Sequence, residues 1–205
     1  MIPLVTLGGA VALALLAPVL ARLLGGNAGY PLAAGLAALA VYANTAAGEV
    51  VRGEVLTAGV SWMPSLGVSF GLRMDGLSLL FVTIVLGVGA LVMAYCPRYL
   101  EAYYPIGTVY GLLTGFAAAM IGLVTANDLV LLYVFWELTT VLSFLLINTA
   151  GPAAALPAGR ALVVTAMGGF ALLGAVVMIG VAAGSTSVYG SLTLMDTRVD
   201  VCRCE

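Results

Sequence analysis

Long apolar stretches separated by short turns account for most of the chain. A helix that crosses a bilayer needs about 20 apolar residues, because a rise of 1.5 Å per residue must cover a hydrocarbon core about 30 Å thick. The pattern therefore predicts an all-α fold, a polytopic transmembrane helix bundle of about six spans. These spans cover residues 2–21, 30–48, 76–96, 106–126, 129–148 and 161–183.

The connections between the spans carry their own signals. Only Asn127 and Asp128 separate the fourth span from the fifth, which predicts a tight antiparallel helix hairpin. The segment 49–73 is the longest polar connection, and its alternation and turn residues predict a short external hairpin with Trp62 at the membrane interface. The first span has no basic residue before its apolar core and no convincing cleavage site, so we interpret it as a retained anchor rather than a signal peptide.

The segmentation predicts three regions along the chain. Residues 1–60 hold two N-terminal transmembrane helices and the start of the external loop, and residues 61–190 hold four more helices. Residues 191–205 form a polar tail that does not continue the helical pattern, and half of the residues in 196–205 are charged. The tail is interpreted either as a short soluble segment or as sequence foreign to the fold, from a truncated or shifted reading frame.

Composition supports a membrane protein and excludes several functions. The chain is 63% hydrophobic and 8% charged, with a mean hydropathy of +1.18, whereas a soluble fold needs far more polar surface. Its basic residues are seven Arg and its net charge is −2, so no basic surface for nucleic acid is expected. With no His and only Cys96, Cys202 and Cys204, ligands for zinc, haem or an iron–sulfur cluster are lacking, and we expect no cofactor or metal.

The arginines indicate an orientation in the membrane. Arg22, Arg98 and Arg160 fall in loops on one side of the predicted spans, whereas Arg52 and Arg73 share the longest loop on the other side. Short loops rich in Arg and Lys stay in the cytoplasm. We therefore expect a multi-pass protein of the cell membrane with its N-terminus outside.

One acidic residue, Glu137, lies near the middle of a predicted span. An acidic side chain at that depth costs about 2.5–3.5 kcal/mol on insertion scales and faces a bundle interior or a water-filled cavity. Apolar surroundings favour the protonated carboxyl group, which can then exchange protons. The alternative interpretation is a protonated Glu that hydrogen-bonds a neighbouring helix as a packing element. Helical spacing places Tyr133, Thr139, Thr140 and Ser143 near it as a polar stripe of supporting candidates.

Two further acidic residues precede predicted spans. Asp75 opens the third span and Asp128 opens the fifth. Both positions suit helix N-caps, where a carboxylate accepts backbone N–H groups and complements the helix dipole. Both are retained as supporting candidates for the proton site as well.

The residues around Glu137 resemble a known family. The run LVLLYVFWELTTVLSFLLIN at 129–148 is similar to the signature of the proton-translocating antiporter-like family, which includes the A subunit of the multisubunit Mrp sodium/proton antiporter and the large antiporter-like subunits of respiratory complex I. The form Phe135-Trp-Glu-Leu-Thr139 resembles the Mrp version, whereas complex I subunits tend to have Gly in place of Phe135 and Leu138. Three other segments agree in order and spacing, at 62–81, 91–100 and 161–180.

The resemblance implies a function and a site. Residues 61–190 would be the N-terminal proton-translocating region of a monovalent cation (Na⁺)/proton antiporter, with Glu137 as the proton-binding carboxylate. The family pairs this glutamate with a lysine on a later helix, and the chain contains no Lys. The family fold is an inverted repeat of five-helix units, so the sequence is expected to be the first, truncated part of that fold. Other antiporter subunits in a hetero-oligomeric membrane complex, Na⁺, H⁺ and the lipid bilayer are the implied partners.

Two other functions remain open at this stage. The same carboxylate would serve a proton-pumping subunit of an NADH-quinone oxidoreductase or of a membrane hydrogenase, in which other subunits carry the electrons. A non-transporting fragment or assembly scaffold is the third interpretation, since the chain has no Lys and its repeat is incomplete.

Overall fold

The computed structural model of the chain describes residues 1–63, 68–100, 105–183 and 187. The predicted polar tail at 191–205 and the side chain of Trp62 lie outside the described residues. The elements in chain order are α1 (Ile2–Leu24), α2 (Gly29–Asn44), α3 (Ala47–Val51), β1 (Leu56–Met63), β2 (Val68–Met74), α4 (Gly76–Tyr99), α5 (Ile106–Thr125), α6 (Leu129–Asn148) and α7 (Ala155–Ala183). Six of the helices correspond to the six predicted spans, and a 3₁₀ turn over Gly25–Ala28 joins the first two.

The helix boundaries follow the prediction most closely at α6 and depart from it at α2, α4 and α7. The predicted span 30–48 ends at Asn44, and the short helix α3 follows it. The predicted span 161–183 begins earlier in the structure, at Ala155, because Pro157 lies in the first turn of α7, where a missing N–H costs no hydrogen bond. Helix α4 continues to Tyr99 with Pro97 inside its last turns. A proline near the end of a helix therefore did not stop it.

Five helical stretches in the described part of the chain are long and apolar enough to cross a membrane. The first, Ile2–Val51, is a single stretch of 50 residues that contains α1, α2 and α3. Helix α2 by itself has 16 residues, which reach about 24 Å at 1.5 Å per residue. The remaining four stretches correspond to α4, α5, α6 and α7.

The helices pack as an antiparallel bundle in which sequence neighbours are not always spatial neighbours. Helix α1 packs on α5 as well as on α2, and α2 packs on α4. Helix α6 lies between α5 and α7. This alternation puts the helix ends that carry Arg22, Arg98 and Arg160 on one face, and Arg73 of the β-hairpin on the opposite face. The predicted grouping of these arginines is therefore confirmed.

Two prolines in the interior of long helices, Pro18 and Pro97, face glycines of neighbouring helices. Pro97 cannot donate a hydrogen bond to Met93 O, four residues earlier. Gly29 at the start of α2 lies against this site, where an added Cβ would be 2.5 Å from Met93 O and 2.7 Å from the Pro97 ring. Gly111 of α5 faces Pro18 of α1, with an added Cβ 3.4 Å from the ring. The missing side chains let the helices approach closely at these two points.

A buried tyrosine joins α5 to the turn between the first two helices. The Tyr110 side chain is fully buried, and its hydroxyl group donates a hydrogen bond of 2.7 Å to Gly26 O. A buried Tyr hydroxyl needs such a partner. The bond anchors the α1–α2 turn to the body of the bundle.

The predicted hairpin is confirmed as an antiparallel pair, β1 and β2, with Leu56 opposite Met74 and Gly59 opposite Gly71. Strand β2 also contacts the turn between α5 and α6. Gly71 O accepts a hydrogen bond of 2.9 Å from Asn127 N, and Leu72 forms an isolated bridge with Ala126. The hairpin thereby fixes the point at which α6 begins.

Candidate functional site

Helix α6 starts at a buried carboxylate. The Asp128 side chain accepts hydrogen bonds from Val130 N at 2.9 Å and from Leu131 N at 3.4 Å, and the residue is 2% exposed. These bonds satisfy N–H groups that have no partner within the helix. The N-cap prediction for Asp128 is confirmed. Asp128 precedes Glu137 by nine residues, about 13 Å along the helix axis, so the two carboxyl groups belong to separate sites.

Asp75 caps α4 in the same way. Its carboxylate accepts a hydrogen bond of 2.9 Å from Ser78 N, and its Oδ2 lies 3.6 Å from Arg73 Nε. The Ser78 N–H holds the pKa of Asp75 below its ordinary value of 3.8, burial opposes this shift, and the positive charge of Arg73 adds to it. The N-cap prediction for Asp75 is also confirmed, and the residue lies on the hairpin side of the bundle.

Glu137 is the ninth residue of α6 and faces α7. Its carboxyl oxygen Oε1 lies against the Cα of Gly169, at the place where any larger residue would carry its Cβ. Gly169 is buried, whereas Gly168 and Phe170 on either side of it are exposed. The carboxyl group therefore rests in a notch in the surface of α7.

The predicted burial of Glu137 is not seen within this chain. Its side chain is of intermediate exposure, because α5 and α7 flank α6 but leave its outer face uncovered. Trp136 and Leu138, on either side of Glu137, are 39% and 41% exposed. The position of Glu137 in the middle of α6 was predictable from the sequence. The burial of its side chain depends on which elements cover that face of α6.

The polar residues near Glu137 divide into two groups. Tyr133, one turn earlier on α6, is close enough for an electrostatic interaction with the Glu137 carboxyl group. Thr139 and Thr140 both donate to Trp136 O, and Ser143 donates to Thr139 O. The three hydroxyl groups thus donate their hydrogen bonds to carbonyl groups of their own helix, and their oxygen lone pairs can still accept a hydrogen bond. Tyr133 is the predicted supporting residue that the structure brings to Glu137.

The opposite side of α6 is held by an aromatic contact. The Phe135 ring lies against Gly122 of α5, in the space that a side chain there would fill. The same ring packs edge-on against Phe70 of β2. Helix α6 is therefore bound to α5 and the hairpin on one side, and Glu137 is turned toward α7 on the other.

The contact with Gly169 was not predicted as part of the site. A stripe of small residues at Gly168, Gly169 and Gly174 is visible in the sequence, and it indicates close helix packing. The stripe does not reveal which glycine meets α6. In residues 1–63, 68–100, 105–183 and 187, no three His, Cys, Asp or Glu side chains are grouped closely enough to hold a metal ion.

Two family matches cover the hairpin and the helices around the site. Residues 60–105 match the family described as NADH-Ubiquinone oxidoreductase (complex I), chain 5 N-terminus. Residues 126–200 match the family described as NADH:quinone oxidoreductase/Mrp antiporter, TM. The second match contains both Glu137 and Gly169. The chain belongs to this antiporter-like family of membrane subunits.

Curated relatives specify the branch of the family. The A1 subunit of the Na(+)/H(+) antiporter of Staphylococcus haemolyticus (strain JCSC1435) is 39% identical over 139 residues, which are 67% of this chain and 17% of the relative. The A1 subunit of Staphylococcus aureus (strain N315) is 35% identical over 150 residues, which are 72% of this chain and 19% of the relative. The chain is thus homologous to the A subunit of the Mrp-type antiporter, and it spans about a fifth of the length of these relatives.

Solved structures agree with this assignment. A chain in the structure of the Mrp complex from Dietzia sp. DQ12-45-1b is 46% identical with a TM-score of 0.84, over 91% of this chain and 20% of that one. Respiratory complex I from Thermus thermophilus contains a chain with a TM-score of 0.72 at 22% identity, over 94% of this chain and 39% of that one. The latter similarity shows a shared fold. The predicted antiporter-like helix bundle is confirmed.

Proposed function

We propose that this chain is a membrane component of a monovalent cation/proton antiporter that exchanges Na⁺, and that Glu137 is its proton-binding carboxylate. The observation that carries the proposal is the placement of Glu137. It lies in the middle of a membrane-length helix, against the backbone of α7, inside the region that matches the Mrp antiporter family. Insertion of an ionisable side chain at that depth costs free energy, and such a residue indicates an ion or proton path.

Glu137 would take up a proton from one side of the membrane and release it when a nearby charge changes. The Tyr133 hydroxyl group would assist this proton exchange, because it interacts with the Glu137 carboxyl group from one turn away on α6. A positive charge that stabilises the deprotonated form is also needed. The 205 residues include no Lys, and Arg160 of α7 lies nine residues before Gly169, about 13 Å along the helix axis. We therefore expect that charge to come from elsewhere in the complex, and this chain by itself to form an incomplete pathway.

The proposal includes the assembly and its location. One solved relative is part of an Mrp complex, and the curated relatives are named as antiporter subunits. We propose that this chain likewise works in a hetero-oligomeric complex of the cell membrane. The face that carries Arg22, Arg98 and Arg160 would be cytoplasmic and the N-terminus external, in accord with the distribution of positive charge.

A second candidate function is favoured by the match over residues 60–105 to a complex I family. In that case the chain would be the proton-pumping subunit of an NADH-quinone oxidoreductase. Electron transfer in other subunits would then drive proton uptake and release at the same carboxylate. The proton chemistry of Glu137 would be the same in the two functions. The reaction that drives it would be Na⁺ exchange in the first and electron transfer in the second.

The test uses inside-out vesicles that contain the complex assembled with this chain. Proton movement is followed with a pH-sensitive dye after addition of Na⁺, and separately after addition of NADH. Glu137→Gln keeps the size of the side chain and removes its titration. Leu138→Met is the matched control, since it changes an exposed neighbour at similar volume.

We expect Na⁺-driven proton movement that Glu137→Gln abolishes and Leu138→Met preserves. Vesicles with this chain as the sole added protein should show no exchange. Proton movement that depends on NADH and not on Na⁺ would refute the antiporter function and favour the redox-driven proton pump. Unchanged exchange in a fully assembled Glu137→Gln complex would refute the proton site and favour a scaffold role.

A further inference from the structure

The Glu137 carboxyl group lies against Gly169 of α7. A Cβ built on Gly169 would fall on Oε1 of Glu137, 3.1 Å from its Cδ and 3.6 Å from Oε2. The carboxyl group therefore occupies the volume that every other amino acid at position 169 would claim. Two atoms cannot share that volume, so either the residue at 169 has no side chain or the carboxyl group moves.

This restriction does not apply to the neighbouring glycines of the same helix. Gly159, Gly168 and Gly174 have no atom within 4 Å of an added Cβ. Gly is more frequent in membrane helices than in soluble ones, and no neighbouring atom requires it at these three positions. Of these four glycines, Gly169 is the one with a neighbouring side chain at the added Cβ, and that side chain is Glu137 of α6.

The other described surroundings of Glu137 are its own helix and an open outer side. Tyr133, one turn earlier on the same helix, interacts with it electrostatically. The outer side is open, because Trp136 and Leu138 are exposed. The notch at Gly169 is the contact that holds the carboxyl group toward α7.

We propose that Gly169 is a positioning residue for the proton site, where the absence of a side chain admits the Glu137 carboxyl group to the surface of α7. The proposal rests on the proposed role of Glu137 in proton transfer. A methyl group at position 169 would turn the carboxyl group toward the open side of α6, into different surroundings. Proton exchange depends on the position of the carboxyl group, and a displacement of about 1 Å at a reacting group can cost about a hundredfold in rate.

The first experiment measures the geometry independently of transport. Assembled complexes with Gly169→Ala or Gly168→Ala are treated with a hydrophobic carbodiimide, and labelling of Glu137 is quantified by mass spectrometry. Gly168→Ala is the matched control, because it makes the same change one residue away in open space. We expect Gly169→Ala to change the labelling rate severalfold and Gly168→Ala to leave it unchanged.

The second experiment measures Na⁺-driven proton exchange across a range of pH. We expect Gly169→Ala to lower exchange by about tenfold or more and to shift its pH profile, with Gly168→Ala matching the wild type. The double variant Glu137→Asp with Gly169→Ala tests the cause, since Asp is one methylene shorter and leaves room for the new methyl group. We expect Gly169→Ala to lower exchange less in the Glu137→Asp background than in the wild type.

Three results separate the possibilities. Equal labelling and equal pH profiles in the two glycine variants would overturn the proposal. A Gly169→Ala effect of the same size with Glu or Asp at position 137 would also overturn it, because the loss would then come from general helix packing. If Glu137→Gln leaves exchange intact while labelling still distinguishes the two glycine variants, the proton-transfer role fails and the positioning of the carboxyl group by Gly169 stands.

Discussion

The rings of Phe70 and Phe135 meet edge to face, with centroids 6.4 Å apart and planes inclined by 65°. Phe70 belongs to the β-hairpin and Phe135 to α6, two residues before Glu137. An element outside the helix bundle thus contacts the helix that carries the candidate proton site. The contact acts on the face of α6 opposite to Gly169.

Replacement of Phe135 by Leu tests the strength of this contact. The variant keeps an apolar side chain but loses the aromatic pair, which contributes about 0.5–1.5 kcal/mol beyond buried area. We expect a loss of that size in the free energy of unfolding, measured by denaturation in detergent. Phe170→Leu is the control, because Phe170 is 69% exposed on α7. Equal losses in the two variants would contradict a specific role for the Phe70–Phe135 pair.

Replacement of Asp128 tests the start of α6. Ala at this position removes the acceptor for Val130 N and Leu131 N, and loss of an N-cap costs about 0.5–2 kcal/mol. We expect Asp128→Ala to lower the free energy of unfolding by that amount and Asp128→Asn to recover most of it, since Asn also accepts these bonds. A variant with Ala that is as stable as the wild type would show that the cap contributes nothing.

The cap of α4 predicts a dependence of stability on pH. The Ser78 N–H bond is the main cause that lowers the pKa of Asp75 in the folded chain from its ordinary value of 3.8. The contribution of Asp75 is therefore present above that value and is lost as the pH falls through the folded-state pKa. We expect the wild type to exceed Asp75→Asn in melting temperature near neutral pH, and the difference to vanish in strong acid. A difference that stays constant with pH would contradict this linkage.

The helices were predictable from the sequence because local signals define them. Asp128 before α6 and the Gly151 turn after it mark both ends, and the predicted range 129–148 equals the observed helix. The grouping of the arginines also followed from the alternation of spans. These features depend on the order of residues and on the thickness of a membrane.

The packing partners were not predictable in the same way. Periodicity places Glu137 in the middle of α6, but the exposure of its side chain depends on how α5 and α7 lie beside that helix. The choice of Gly169 over Gly168 as its neighbour depends on the rotation of α7 about its axis. The pairing of α1 with α5 likewise joins segments that no local pattern connects. Each of these is a property of tertiary structure.

The bond from the Tyr110 hydroxyl group to Gly26 O joins residues 84 positions apart, and this separation sets an order of events during synthesis. At a translation rate of about 5–20 residues per second, α1 and its turn leave the ribosome roughly 4–17 s before Tyr110 does. Helices α2 and α4 emerge during that interval, and α2 can pack on both α1 and α4 before α5 arrives. The turn between α1 and α2 must persist at the membrane surface without its anchoring bond, and the arrival of α5 is the step that locks it into the bundle.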